Sequence, residues 1–219
     1  MIPQFVDLGI KNFLDAQKIH EDFLSRRKSN LCPDTVIIFR TYPVITLGRS
    51  SNHKDILVEK EVIERENLSI IKTNRGGGVT IHVPGQLVIY PVVNLADFNR
   101  DISAFLLFLE DWIISFLALY GVKAERKGRL SGVWAGNKKI CFIGIGISRW
   151  VSFHGLSLNI NPDLKYFSYI NPCGMKGIEV TSLYQEIGTV PDESNLKEDL
   201  EVSYARLLEN KGYSYADKC

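Results

Sequence analysis

The sequence predicts an α+β fold, a mixed or antiparallel sheet with flanking helices. Three observations carry this. Short β-branched and aromatic runs recur along most of the chain, helical periodicity is confined to stretches that do not alternate with them, and there are no internal repeats or low-complexity segments. Runs of strands with interspersed, non-alternating helices indicate α+β.

In chain order, "QFVDLG" reads as a short strand and "KNFLDAQKIHEDFLSRRKSN" as an amphipathic helix. In that helix Phe13, Leu14, Ala16, Ile19, Phe23 and Leu24 recur near helical spacing between charges. "DTVIIFR" and "PVITLG" are β-branched runs split by Thr41-Tyr42-Pro43, predicting a broken strand or a hairpin. "DILVEKEVIEREN" predicts a short helix and "LSIIKTN" a strand. "VTIHVPGQLVIYPVVNL" reads as two strands kinked at Pro84-Gly85. Asp101 is placed to cap the longest helix, roughly Ile102 to Tyr120, which is apolar nearly all round and therefore central, with Gly121 ending it. "SGVWAG", a turn at Asn137-Lys138, "KICFIGIGI" and "VSFHGLSLNIN" continue the sheet. Asp163 caps a turn or short helix over Leu164 to Tyr169. The irregular "NPCGMKG" and then "VTSLYQEIG" come next. A polar break at "PDESN" leads to an amphipathic helix from about Leu196 to Asn210.

A length of 219 residues suits one domain spanning 1–219 and a core that needs no staples. The formal net charge of +1 gives no broad field for nucleic acid or an anionic membrane. The start lacks the charged head, apolar run and cleavage site of a signal peptide, and no apolar stretch reaches the ~20 residues of a bilayer span. A soluble cytoplasmic protein is expected. Cys32, Cys141, Cys173 and Cys219 are scattered, without C-x-x-C or nearby histidines, so neither a zinc site nor a disulfide framework is expected.

Chemistry gathers in three stretches. In "NRGGGVTIHVPGQ", Asn74 to Gln86, three successive glycines let the backbone approach a ligand, and the pattern is neither a Walker loop nor a dinucleotide fingerprint. A bulge or tight turn explains the glycines alone. Arg75, Thr80, His82 and Gln86 around them suggest a ligand wall. In "NKKICFIGIGISRWVSFHG", alternation groups Lys139 with Cys141, Ile143 and Ile145, and Lys138 with Ile140, Phe142 and Gly144. Both faces are apolar, so one lysine enters the mouth of a buried strand unless both lie in the turn. A desolvated lysine can serve as a base. His154 reads as a hydrogen-bonded histidine at a strand end, or as the partner of a cysteine. Cys173 stands between Pro172, with its fixed φ, and permissive Gly174, which together can present a side chain from a loop. A thiol of pKa ~8.5 needs a base or cation to react well. For Cys173 as a nucleophile, that base is His154, His82 or one of the two lysines.

Taken in order, "RGGGVTIHVPGQLVIYP", "GVWAGNKKICFIGIGISRWVSFHGLSLNIN" and "INPCGMKGIEVTSL" resemble the lipoyl(octanoyl) transferases of lipoate biosynthesis. The N-terminal "FVDLGIKNFLDAQKIHEDFLSRR…YPVITLGRS" extends the likeness over most of the chain. The resemblance implies the lipoate/biotin protein ligase-like fold and a two-step acyl transfer with no cofactor. Octanoyl passes from octanoyl-acyl carrier protein to an enzyme cysteine, then to a lysine of a lipoyl domain. Acceptors would be lipoyl domains of 2-oxoacid dehydrogenase complexes and the glycine cleavage H protein. Carried over, the acyl-accepting thiol is Cys173 and its partner Lys139, in place of a histidine base. Arg75, Gly76, Gly77, Gly78, Thr80, His82, Gly144, His154 and Gly155 would line the substrate pocket, with amides around Gly77 and Gly78 as oxyanion donors. Two departures stand out. His82-Val83-Pro84-Gly85-Gln86 replaces the family's usual His-Gly-Pro-Gly-Gln, a change able to alter chain-length preference or the turn. "RTYPV" stands where Glu-His-Pro-Pro-Val is common. The alternatives are an ATP-dependent lipoate or biotin ligase and a non-catalytic acyl-carrier binding protein.

Overall fold

The computed structural model describes residues 2–128 and 130–210, the side chains of Cys173 and Asn210 excepted, so Cys219 lies outside the described residues. The β-branched runs form two sheets. The larger contains β1 (Gln4–Lys11), β2 (Thr35–Thr41), β6 (Gln86–Val92), β7 (Ala124–Lys127), β8 (Leu130–Ala135), β9 (Lys138–Ser148) and β10 (Val151–Asn159), in the order β1-β2-β6-β10-β9-β8-β7. Among the described residues only its β1–β2 strand pair is parallel. The smaller sheet has the order β4-β3-β5, from β3 (Val44–Leu47), β4 (Ser69–Lys72) and β5 (Val79–His82). It pairs β3 parallel to β4 and antiparallel to β5. The sheets are mixed, as the α+β reading requires.

The segment expected as a broken strand or hairpin is a strand that changes sheets. β2 pairs with β1 and β6, whereas β3 pairs with β4 and β5. Pro43 at the break has no N–H to continue the first ladder. The chain crosses back between β5 and β6 at Val83–Gly85, where the Val83 N–H donates to Gln86 Oε1 (2.9 Å). Residue patterning misses β7 because "AERK" carries charges instead of alternation, as befits an edge strand.

The helices are α1 (Phe13–Lys28), α2 (Lys60–Arg65), α3 (Ile102–Leu119), α4 (Leu183–Ile187) and α5 (Glu193–Asn210). Asp101 caps α3 as expected, its Oδ1 accepting from the Ser103 and Ala104 amides (2.8 and 3.1 Å). By length and composition α3 is apolar enough to cross a membrane, but it packs against α5 and β8. Trp112 Nε1 donates to the Leu200 carbonyl (2.9 Å), tying the two helices together. α5 starts before the expected Leu196, because the polar "ESN" forms its first turn and Glu193 there suits the positive helix end.

One face of the large sheet meets α3 and α5 through Phe105, Phe108, Trp112, Ile143, Leu156 and Tyr204. A second cluster joins α1 to β2 and β6 through Phe13, Ala16, Phe39 and Tyr90. A third fills the small sheet and reaches Phe142 of β9 and Phe167. The site lies where this third layer meets the large sheet.

Candidate active site

A cleft opens between the two sheets. Its lining comes from the loop before β5 and β5 itself (Arg75, Thr80, His82), from β6 (Tyr90), from β9 (Phe142, Ile143, Gly144) and from β10 (Gly155, Leu156, Ser157). Five of the residues expected around a substrate, Arg75, Thr80, His82, Gly144 and Gly155, therefore meet in one place. The cavity within the cleft is about 20 Å³, room for about one water.

Arg75 sets the wall. Its buried guanidinium donates to the Thr46 carbonyl (2.7 Å), to Thr46 Oγ1 (3.0 and 3.2 Å) and to the Gly76 carbonyl (3.0 Å). The Gly76 N–H bonds to Ile145 O of β9 (2.8 Å), and a Cβ on Gly144 would lie 2.9 Å from Gly76 O. Glycine at 144 is thus what lets the glycine loop lie on the strand. The carbonyls of Gly77 and Gly78 accept from Ser50 and Gly48 (3.1 and 3.2 Å).

His20, His82 and His154 are buried. His82 stacks on Phe13 with ring centroids 5.7 Å apart. Burial, reinforced by the Arg75 charge, lowers its pKa to about 3. His154 does not border the cleft. It takes φ +55 within β10, its N–H donating to His20 Nε2 (3.1 Å) and its Nε2 meeting Asn74 Oδ1 at 2.6 Å. It thereby fixes the residue before Arg75. Burial, with smaller contributions from His20, Arg75 and His82, lowers its pKa to about 2. Imidazoles this acidic are weak bases at neutral pH, since a base works best with a pKa near the working pH. Thr80 Oγ1 and His82 Nδ1 are buried and make no hydrogen bond within the described residues.

Lys138 is exposed and Lys139 is 1% exposed. The strict alternation predicted at the start of β9 fails there. Val133 pairs with Cys141 and Trp134 with Lys139, so Ile140 is an extra residue, a β-bulge. Ile140 and Cys141 both enter the α3-side cluster, and Lys139 Nζ comes instead to 4.9 Å from the Phe142 ring centre and 5.3 Å from that of Trp134. Its Nζ donates to the Ser131 carbonyl (2.7 Å). Gly132, at φ +124, makes room: a Cβ there would sit 2.5 Å from Lys139 Cε.

The backbone of Cys173 lies in a 3-10 turn, Pro172–Gly174, packed against β5, while its side chain is not described. Asn171 N donates to Asp55 O (2.7 Å) and anchors the turn. The chain then runs to Lys139: Lys139 N donates to Glu179 O (2.8 Å) and Thr181 N to Lys139 O (3.0 Å). The stretch that follows "NPCG" is thus joined to Lys139 by backbone pairing at Glu179 and Thr181. Cys141 is fully buried, and burial pushes its thiol pKa well up.

Val83 packs into the small-sheet cluster and is not among the cleft-lining residues. Gln86 holds the crossing, its Nε2 donating to Asn159 Oδ1 (2.7 Å). Sequence reasoning passes over His20, Asn74, Tyr90, Trp134 and Glu110. His20 has a usable signal, a polar residue on the stripe of Phe13, Ala16 and Phe23. Glu110 has another, a carboxylate inside an apolar helix.

Residues 12–204 match the lipoyl protein ligase A/B catalytic domain family. An octanoyltransferase of Solibacter usitatus is 43% identical over 168 residues, covering 77% of this chain and 76% of that protein. One of Syntrophobacter fumaroxidans is 35% identical over 93% of this chain and 90% of its own length. A mitochondrial octanoyltransferase of Arabidopsis thaliana is 37% identical over 96% and 88%. Among solved structures, the bipartite lipoate protein ligase of Thermoplasma acidophilum superposes with a TM-score of 0.71 at 14% identity, over 95% of this chain and 84% of that one. The biotin protein ligase of Aquifex aeolicus gives 0.53 at 13%, over 96% and 71%. These last two show a shared fold.

Proposed function

The chain belongs to the octanoyltransferases built on the lipoyl protein ligase A/B catalytic domain, and we propose that it carries octanoyl on Cys173 as a thioester. The donor is octanoyl-acyl carrier protein. The acceptors are lysine ε-amines of lipoyl domains, in 2-oxoacid dehydrogenase complexes and the glycine cleavage H protein. The observation carrying this reading is the pairing of Glu179 and Thr181, just after the Cys173 turn, with the backbone of buried Lys139.

The Cys173 thiol gives its proton to Lys139 Nζ, and the thiolate attacks the carbonyl carbon of the donor thioester. The bond from that carbon to the carrier sulfur breaks, and the carrier thiolate leaves as a thiol with the proton from Lys139. The acceptor amine then attacks the Cys173 thioester, loses a proton to Lys139, and the amide forms as the Cys173 sulfur departs and is reprotonated. Lys139 supports the charge in both steps, held by the Ser131 carbonyl and the Trp134 and Phe142 ring faces. Amides around Gly77 and Gly78 serve as oxyanion donors. The acyl chain runs along the apolar side of the cleft, past Phe142 and Tyr90. Each CH₂ it buries contributes about 0.8 kcal/mol. A cavity of about 20 Å³ must widen to admit it.

Incubation with octanoyl-acyl carrier protein, then intact-mass measurement, tests the reading. One octanoyl adduct should form without ATP and be absent in Cys173→Ala. Absence of an adduct from the unaltered enzyme under single-turnover conditions, or a strict need for ATP, would overturn it.

A further inference from the structure

α3 carries one buried charge into an apolar helix. Glu110 is 7% exposed among Phe108, Leu109, Trp112 and Ile113. An ionised carboxylate is costly in such a position unless it is paired and hydrogen-bonded. Its Oε1 accepts from the Gly132 N–H (2.9 Å), and its Oε2 lies 3.9 Å from Arg126 Nε. Gly132 lies just before the first β8–β9 partner pair, Val133 with Cys141. The helix carboxylate therefore binds an N–H at the point where the strand ladder begins.

That N–H matters, because Ser131 and Gly132 form the seat of Lys139. The Ser131 carbonyl accepts from Lys139 Nζ (2.7 Å), and the missing Gly132 side chain leaves the space in which Lys139 Cε lies. From this chain of contacts we infer that Glu110 is a positioning residue for Lys139, acting through the Gly132 N–H and the Ser131 carbonyl. The inference rests on the reading of Lys139 as the proton acceptor of the transfer.

The carboxylate acts on Lys139 in two separable ways. The hydrogen bond fixes where Nζ sits, and it needs only an oxygen acceptor at position 110. The charge biases which protonation state Lys139 holds, and it needs a carboxylate. Burial pushes the Glu110 carboxyl above its usual range and Asp111 adds to this, while the Gly132 N–H, Arg126 and Lys139 oppose it. Among the described residues Cys141 on its own strand also interacts electrostatically with Lys139, and Lys127 Nζ of β7 lies 5.3 Å from the centre of the Trp134 ring that Lys139 also meets.

Glu110→Gln keeps the acceptor and removes the charge, whereas Glu110→Leu removes both. Single-turnover octanoylation measured by mass, melting temperature, and the pH titration of the Lys139 Cε signal in ¹³C-lysine-labelled protein separate the two effects. The Cε signal is assigned by its loss in Lys139→Arg. We expect Glu110→Leu to slow acylation at least about tenfold and Glu110→Gln to slow it much less. The Lys139 midpoint should move down by about half a pH unit or more in Glu110→Gln, as expected on losing a nearby opposite charge. An unchanged midpoint in Glu110→Gln overturns the inference. So does a Glu110→Leu enzyme that acylates at the original rate, or equal slowing in two variants that both keep the original melting temperature. If Glu110→Leu does not fold, the Glu110→Gln midpoint decides. If the unaltered enzyme forms no adduct, the acyl-enzyme reading fails, while the titration still reports whether Glu110 and Lys139 are coupled.

Discussion

The large sheet buries its two faces in different ways. Toward α3 and α5 it presents Ile143, Leu156, Leu158 and Val133 to a cluster of Phe, Trp and Leu, where Glu110 is a charged exception. Toward the small sheet the buried groups include Arg75, Thr80, His82, Gln86, Lys139 and Asn159. The first layer stabilises by removing apolar area from water. The second buries polar groups, and burial there lowers the proton affinity of His82, the kind of perturbation found where side chains acquire chemistry. The difference assigns stability to one layer and reactivity to the other, and substitutions can pull the two apart.

The largest separation is expected at Lys139. Lys139→Ala should slow acyl-enzyme formation by about 10³-fold, within the range of acid–base groups, while the far-UV circular dichroism keeps its native form. A near-native rate would move the base elsewhere. Trp112→Ala is the mirror experiment. It empties a site packed against Phe5 and Tyr204 and removes the Leu200 hydrogen bond, and it should cost about 3–5 kcal/mol in urea unfolding. At temperatures where it stays folded, its acylation rate should remain close to the original.

A smaller effect is expected from acid. Burial lowers the His20 pKa from 6.5 to about 4, so the unfolded chain binds this proton more readily than the folded one. Stability is then fully present above pH ~6.5 and is lost as pH falls toward 4, on the order of 3 kcal/mol from this residue. Replacing His20 by Leu should flatten that part of the stability–pH curve. A curve that keeps its slope between those pH values would show that His82 and His154 carry the acid sensitivity. The smallest effect belongs to Lys138. Exposed beside Lys139, Lys138→Ala should change stability by no more than ~0.5 kcal/mol and leave acylation within about twofold.

That pair of lysines also marks how far the sequence could be read. The Lys-Lys dipeptide and the apolar strand after it were visible from residue spacing, which left open whether one lysine enters the strand or both lie in the turn. The identity of the buried lysine came from family resemblance, since alternation treats the two alike. Alternation also assigned Lys139 to the Cys141 side. The extra residue at Ile140 overrides it, and a bulge is defined only relative to the partner strand. His20 shows the same limit. Its bond to the His154 amide spans 134 residues, and nothing local announces it. Sequence reading placed His154 in the pocket lining, whereas it stands behind the wall and braces Asn74.

Local chemistry by itself determined the elements of this protein. Asp101 and Asp163 cap the helical turns after them through bonds only two or three residues long, and β-branched runs mark most of the strands. Each of those preferences is satisfied within a few residues. Tertiary structure alone decided that the chain changes sheets at Pro43 and Pro84, that Gly144 lets the glycine loop lie on β9, and that Glu110 reaches the seat of Lys139 from the opposite layer. These are contacts between segments far apart in sequence. Their geometry is fixed only once both layers have packed on the same sheet.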